Sequence, residues 1–112
     1  MKYISLLLVS FLFTLTTNAQ KKSPDIHTPD TIKQIFVVEA ACGQCRFKMK
    51  GKGCELAIRM NGKSYFVDGA KIDDYGDAHA KNGFCKATRK AEVQGTIKGD
   101  RFVATYFKLI DR

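Results

Sequence analysis

The sequence predicts a small, mainly β domain, because short runs of alternating apolar residues are joined by turn-forming pairs. Leu56, Ile58 and Met60 alternate with other residues, and the pair Asn61-Gly62 follows them directly. Asn-Gly is the strongest short hairpin signal, because both turn residues must accept a positive φ. A second β-like run over 63–67 completes the predicted hairpin.

The second half of the chain repeats this pattern. Residues 91–98 alternate in the same way, Gly99-Asp100 supplies a turn, and residues 102–110 return as a strand. An earlier β-branched run over 35–38 predicts one more strand ahead of the first hairpin. The sequence therefore contains five candidate strands.

One short helix is predicted between the two hairpins, over 73–84. Acidic residues stand at its start and Gly83 stands near its end, which is the usual polarity of a helix. The resulting order is β-β-β-α-β-β, which is the order of a small five-stranded barrel of the OB type. A partly open sheet with one helix is the alternative.

The first nineteen residues have the pattern of a secretory signal peptide. Lys2 gives a positive start, residues 3–15 are nearly all apolar, and small Thr17 and Ala19 precede the predicted cut. The apolar run is shorter than the ~20 residues that a membrane-spanning helix needs. We therefore expect residues 1–19 to be removed and the protein to be exported, either to a periplasm or as a secreted protein.

The remaining chain is long enough for a single domain only. Residues 20–31 are polar and hold both prolines, which predicts a flexible lead-in, and residues 32–112 form the predicted domain. The chain carries a formal charge of +8, of which Lys2 in the signal contributes one. This charge favours an anionic ligand or protein as a partner, whereas nucleic acid is not expected outside the cell and no membrane span remains after signal removal.

Four cysteines are expected to meet at one end of the barrel. Cys42 and Cys45 follow the first strand, Cys54 opens the second, and Cys85 lies between the third and the fourth. In an up-down-up meander, these connections share one rim. His79 falls in the same connection as Cys85 and is expected nearby.

The cysteine cluster has three interpretations. The spacing is Cys-x2-Cys-x8-Cys-x30-Cys. Four thiolates could form a tetrahedral zinc site, and copper(I) also accepts soft sulfur. An even number of cysteines in an exported chain also fits two disulfides, and redox exchange is a third option. The candidate metal ligands are Cys42, Cys45, Cys54, Cys85 and His79.

A basic loop surrounds the Cys-x2-Cys motif. Its cations alternate with apolar residues and glycine, and they are the candidate anion-binding residues: Arg46, Lys48, Lys50 and Lys52. Beside a metal they would offset thiolate charge, and in a disulfide-stapled module they would be free to bind an anionic ligand or partner. No nucleophile–base–acid constellation and no phosphate-cradling loop is present, so we expect a binding domain and not an enzyme.

Several motifs resemble an uncharacterised family of small exported bacterial proteins. They are Glu39-Ala-Ala-Cys-Gly-Gln-Cys45, Gly51-Lys-Gly-Cys54, Tyr65-Phe-Val-Asp-Gly69, Asp73-Asp-Tyr-Gly-Asp-Ala-His-Ala80 and Gly83-Phe-Cys85. The resemblance spans Glu39 to Leu109 and implies that the cysteines and His79 matter, but it implies no activity.

Overall fold

The computed structural model describes residues 25–111, which fold into a closed five-stranded β-barrel. The strands are β1 Phe36–Cys42, β2 Leu56–Met60, β3 Lys63–Asp68, β4 Arg89–Lys98 and β5 Arg101–Leu109. Their order around the barrel is β1-β2-β3-β5-β4, and β3 with β5 is the parallel pair. The predicted mainly β barrel is confirmed. The predicted signal peptide lies outside the described residues.

The β2–β3 hairpin turns at the predicted pair. Asn61 has φ 52° and Gly62 has φ 79°, so both residues take the left-handed conformation that this tight turn requires. Across the hairpin, Met60 pairs with Lys63 and Ala57 pairs with Phe66. Since this register places alternate residues on opposite faces, Ile58 and Tyr65 point into the barrel, whereas Ala57 and Phe66 lie outside.

The helix expected over 73–84 is much shorter than predicted. The structure forms a single 3₁₀ helix, Ile72–Tyr75, which Gly76 ends with φ 95°. Turns then fold the chain back so tightly that a Cβ on Gly83 would clash with the carbonyl of Ala78. The acidic residues serve these local turns, as the Asp74 carboxylate accepts a hydrogen bond from the Lys71 N–H at 3.0 Å.

A short α-helix that the sequence pattern did not predict follows β1. It is α1, Gly43–Arg46, and it spans one turn. Within residues 25–111 the structure contains no helix with the length and apolar character needed to cross a membrane.

Most of the core lies inside the barrel. The most deeply buried large side chains there are Ile58, Val93, Phe102 and Phe107, none more than 1% exposed. Gln94 is 1% exposed and holds the segment before β1 in place. Its side-chain amide accepts a hydrogen bond from the Asp30 N–H and donates to the carbonyls of Asp30 and Lys33, at 2.8–2.9 Å. Asp30, which belongs to the predicted lead-in, is therefore hydrogen-bonded to β4 of the barrel.

Candidate metal centre

The four cysteines meet at one end of the barrel, as the strand order predicts. Their sulfur atoms all lie within 4.8 Å of one another. The Cys54 Sγ is 3.6 Å from the Cys45 Sγ and 3.6 Å from the Cys85 Sγ. We call Cys42, Cys45, Cys54 and Cys85 the cysteine cluster.

Cys42 is the anchor of the cluster. It is the last residue of β1, it is 0% exposed, and its N–H donates to the Phe84 carbonyl at 3.0 Å. Its side chain also caps α1, because the Cys45 N–H donates to the Cys42 Sγ at 3.3 Å. The one turn of α1 thus sets the distance between the two sulfurs of the Cys-x2-Cys motif.

The side chain of Gln44 ties α1 to the segment that carries Cys54. Its Oε1 accepts the N–H of Glu55 at 2.9 Å, and its Nε2 donates to the Glu55 carboxylate at 3.3 Å. The backbone repeats the link, since the Gly43 N–H donates to the Glu55 carbonyl at 2.8 Å. These contacts hold Cys54 opposite the Cys-x2-Cys turn.

Cys85 is positioned by the folded-back connection between β3 and β4. The preceding Phe84 is 2% exposed and anchors the connection in the barrel core, where it packs on Tyr75 with ring centroids 5.9 Å apart. The Cys85 N–H donates to the Ala78 carbonyl at 2.9 Å. Cys85 therefore reaches the cluster from a turn that is fixed at both ends.

The basic loop, residues 43–53, packs on the outer face of the barrel. Phe47 is buried there with Ala41, Ala57 and Phe66, and Met49 packs against this group, which we call the outer core. The alternation of cations with apolar residues and glycine in this loop did not predict that Phe47 and Met49 pack against the barrel. The thioether of Met49 belongs to this apolar group and is not part of the cysteine cluster.

The surroundings of the sulfurs shift their proton affinities in opposite directions. Burial opposes ionisation of Cys42, but hydrogen bonds from the Cys45 N–H and from the neighbouring thiols hold its pKa below the usual value. The thiols of Cys42 and Cys54 raise the pKa of Cys45 to about 11. Burial and the Cys54 thiol raise the pKa of Cys85 well above its usual range. Without a cation, the four sulfurs therefore do not all ionise near neutral pH.

All four cysteines are free thiols in the structure, so the disulfide alternative is not what it shows. The 3.6 Å separations far exceed the ~2.05 Å of a disulfide bond. The cluster also excludes His79, whose exposed imidazole lies 4.0 Å from the Asp77 carboxylate. A ligand role for His79 stays a prediction from the sequence alone.

The cations of the basic loop are exposed to solvent. Arg46 donates to the Thr88 hydroxyl at 3.4 Å. In the segment 25–111, no carboxylate lies within 4.0 Å of any of the four, which are Arg46, Lys48, Lys50 and Lys52. Their positive charge is therefore free to act on the cluster or on a ligand.

Sequence reasoning missed three residues that position the cluster: Gly43, Gln44 and Phe84. The signal for the first two was their place between the two cysteines of one motif. Phe84 had only its position beside Cys85 to suggest it, because a buried aromatic residue is common in any core.

Comparison with known families identifies the group to which this chain belongs. A family model described as "Family of unknown function (DUF6370)" matches residues 36–110, so the chain belongs to the DUF6370 family. The match covers all five strands and all four cysteines. No curated protein and no solved structure matches the chain.

Proposed function

We propose that this protein is an exported, non-enzymatic metal-binding domain that holds one zinc ion in the cysteine cluster. The observation that carries the proposal is the separation of the sulfur atoms. A tetrahedral zinc site with Zn–S bonds of ~2.3 Å has sulfurs about 3.8 Å apart. The two separations of 3.6 Å in the structure are close to that value, and all four sulfurs fall within 4.8 Å of one another.

The charges around the cluster support an ion with four thiolate ligands. Zinc with four thiolates carries a net charge of −2, which the exposed cations of the basic loop partly offset. The Cys45 N–H adds a donor to the Cys42 sulfur at 3.3 Å. A bound cation also provides what the metal-free cluster lacks, because it stabilises the ionised form of every sulfur at once.

The donor set favours zinc over copper(I). Four sulfurs at one site match the coordination number of structural zinc, whereas soft thioether ligands also suit copper(I). The one thioether in the loop, Met49, packs in the outer core instead. Copper(I) is accordingly the competitor that the binding experiment has to include.

The test is metal loading of the reduced protein, followed by native mass spectrometry and by cobalt(II) substitution. We expect one zinc ion per chain, and a cobalt form with intense thiolate-to-metal absorption and tetrahedral ligand-field bands. Cys54→Ser should weaken zinc binding strongly, since it removes one of the four thiolate ligands, whereas Met49→Leu should leave zinc stoichiometry unchanged. If the protein binds one copper(I) ion tightly and zinc cannot displace it, the site is a copper site and not a zinc site. If no metal binds, the proposal is wrong.

Export is a part of the proposal that rests on residues 1–19. Its motivation is the apolar run after Lys2, with small residues before the predicted cut at Ala19. Intact mass of the protein recovered from the exported fraction should correspond to a chain that starts at Gln20. A full-length chain in that fraction would contradict cleavage.

A further inference from the structure

The four sulfurs of the cysteine cluster differ in how accessible they are. Cys42 is 0% exposed, Cys54 and Cys85 are partly buried, and Cys45 alone is exposed. Cys45 also sits in a single-turn helix within a loop, whereas Cys42 is fixed in a strand. An incoming molecule therefore meets Cys45 before the other three cysteines.

The surface around Cys45 is positively charged. Arg46 adjoins it, and Lys48, Lys50 and Lys52 follow in the same loop, which contains no acidic residue. None of these cations is neutralised by a carboxylate within the described part of the chain. This side repels a hydrated metal cation and attracts an anion.

The other open approach to the cluster lacks this excess of positive charge. A cavity of about 280 Å³ lies beside Cys54, with Leu56, Val67 and Ile72 in its wall. Its charged members are Glu55, Lys71 and Asp73, so carboxylates outnumber cations there. Because Arg101 also lies 3.7 Å from the Glu55 carboxylate, this side is close to neutral and attracts an anion less than the basic loop does.

We propose, resting on the zinc site above, that Cys45 is the exchange ligand through which metal passes to and from an anionic thiol. This anionic thiol carries carboxylates close to its sulfur, and it belongs either to a small molecule or to an acidic peptide segment. In the step, the incoming thiolate forms a bond to zinc while the zinc–Cys45 bond breaks, and Cys45 leaves as a thiolate. No electrons are transferred, and the charge of the metal centre is unchanged. The basic loop brings the incoming anion to the exposed ligand.

The first experiment follows zinc transfer from the loaded protein to an excess of a chromogenic chelator. Glutathione is the anionic thiol, 2-mercaptoethanol is the neutral one, and a short acidic cysteine peptide tests a peptide source. The measured quantity is the ratio of the thiol-dependent rates with glutathione and with the neutral thiol. This ratio removes any change in zinc affinity, because both thiols act on the same loaded protein.

The decisive variant is Lys48→Glu/Lys50→Glu/Lys52→Glu. At low salt it should lower the rate ratio roughly tenfold, and 0.5 M salt should largely abolish the difference from wild type. The control is Lys33→Glu/Lys63→Glu/Lys108→Glu, which changes the net charge equally at exposed lysines outside the basic loop. An unchanged ratio in the first variant, or an equal loss in the control, would overturn the proposal. A larger effect with the acidic peptide than with glutathione would assign the thiol to a protein partner, and the reverse would assign it to a small molecule.

The second experiment identifies the exchanging sulfur. Zinc-loaded protein is treated briefly with iodoacetamide, and the modified cysteine is located by peptide mass spectrometry. Cys45 should be alkylated first, and first alkylation of Cys54 or Cys85 would overturn its role as the exchange ligand. Failure of the zinc site itself is seen separately, because the starting protein would then contain no zinc.

Discussion

At the scale of single residues, the cysteine cluster depends on two neighbours that bear no sulfur. Gly43 is buried under the outer core, and Gln44 makes the hydrogen bonds that join the two halves of the site. Outer contacts of this kind orient metal ligands and tune their affinity. Both residues can be tested by substitutions that leave all four sulfurs in place.

Gly43→Ala should damage both stability and metal binding. A Cβ at this position would lie 2.7 Å from a ring carbon of Phe66, 2.9 Å from the Met49 Sδ and 3.1 Å from the Ala57 Cβ. Overpacking of this kind costs about 1–3 kcal/mol of unfolding free energy, and here it also displaces α1. Urea unfolding and zinc titration measure the two effects.

Gly62→Ala is the matched control for this substitution. It adds the same methyl group in open space, at φ 79°, so its cost is backbone strain of about 1 kcal/mol. It should leave the zinc affinity unchanged. If Gly43→Ala binds zinc as tightly as this control does, the close packing under α1 is not what positions Cys45.

Gln44→Ala should weaken zinc binding about tenfold with little loss of barrel stability, because it removes the link between α1 and Glu55. Competition with a chelator of known affinity measures the loss. The exposed Gln34 gives a matched control, and Gln34→Ala should bind zinc as wild type does. Equal affinities for the two variants would show that the Gln44 contacts do not support the site.

At the scale of elements, the basic loop is a packed element and not a free surface loop. Phe47 is 8% exposed within the outer core, and the guanidinium of Arg59 lies 4.4 Å from the centroid of its ring. Phe47 therefore anchors the loop to the outer face of β2 and β3. Its backbone position, and with it that of Cys45, depends on apolar contacts as well as on any bound metal.

Phe47→Ala should remove the packing of the loop on the barrel. We expect it to lower the unfolding free energy by about 3 kcal/mol and to weaken zinc binding. Phe47→Leu keeps most of the apolar volume and should lose much less of either. Chemical unfolding with and without zinc gives both quantities. Wild-type zinc affinity in Phe47→Ala would mean that the metal site forms without the outer core.

A charged link joins the end of β3 to the start of β5. Arg101 donates to both oxygens of Asp68 at 2.9 and 3.0 Å, and it lies 3.7 Å from the Glu55 carboxylate. The hydrogen bonds from Arg101 hold the pKa of Asp68 below its usual value. A carboxyl whose pKa is lowered by folding stabilises the protein above the unfolded pKa, and this stability is lost as pH falls through the folded pKa.

Asp68→Asn should therefore cost about 0.5 kcal/mol near neutral pH, a small value because the side chain is 44% exposed and screened by solvent. The difference from wild type should shrink as pH falls below about 4 and vanish only below the lowered folded pKa, where Asp68 is protonated in both states. Unfolding of the metal-free protein across this range is the measurement. A difference that persists at the lowest pH would assign the effect to packing and not to charge.

The sequence was sufficient to predict the strands, the Asn61-Gly62 turn and the gathering of the cysteines. Alternation and turn chemistry are local signals, and strand order then places distant connections at one rim. The helix over 73–84 was predicted too long because acidic residues favour turns as well as helix starts. The outer core escaped prediction, since alternation alone cannot say that Phe66, on the outward face of β3, is covered by a loop.

At the scale of the whole molecule, the barrel core extends far beyond the metal centre, although Cys42 belongs to that core and Cys54 and Cys85 pack against it. The core is a continuous apolar cluster of all five strands, and the cysteines lie at one end of it, with Cys42 as the deepest contact. Small zinc fingers, in contrast, are unfolded without their metal.

Removal of zinc by a chelator should therefore leave the barrel folded, with its β-type circular dichroism retained. The melting temperature should fall, since a ligand that binds only the folded state stabilises that state. Hydrogen exchange should rise in residues 43–55 and 77–86 and stay low in β4 and β5. Loss of the β spectrum on chelation would show instead that the metal is part of the core.

X-ray absorption at the zinc edge is the sharpest test of zinc bound by the cysteine cluster, because it counts the atoms bound to the ion. We expect four sulfur neighbours at ~2.3 Å in the loaded wild-type protein. In Cys45→Ser we expect three sulfurs and one lighter atom. A site with two or fewer sulfurs, or one that Cys45→Ser leaves unchanged, would contradict the assignment of zinc to the cysteine cluster.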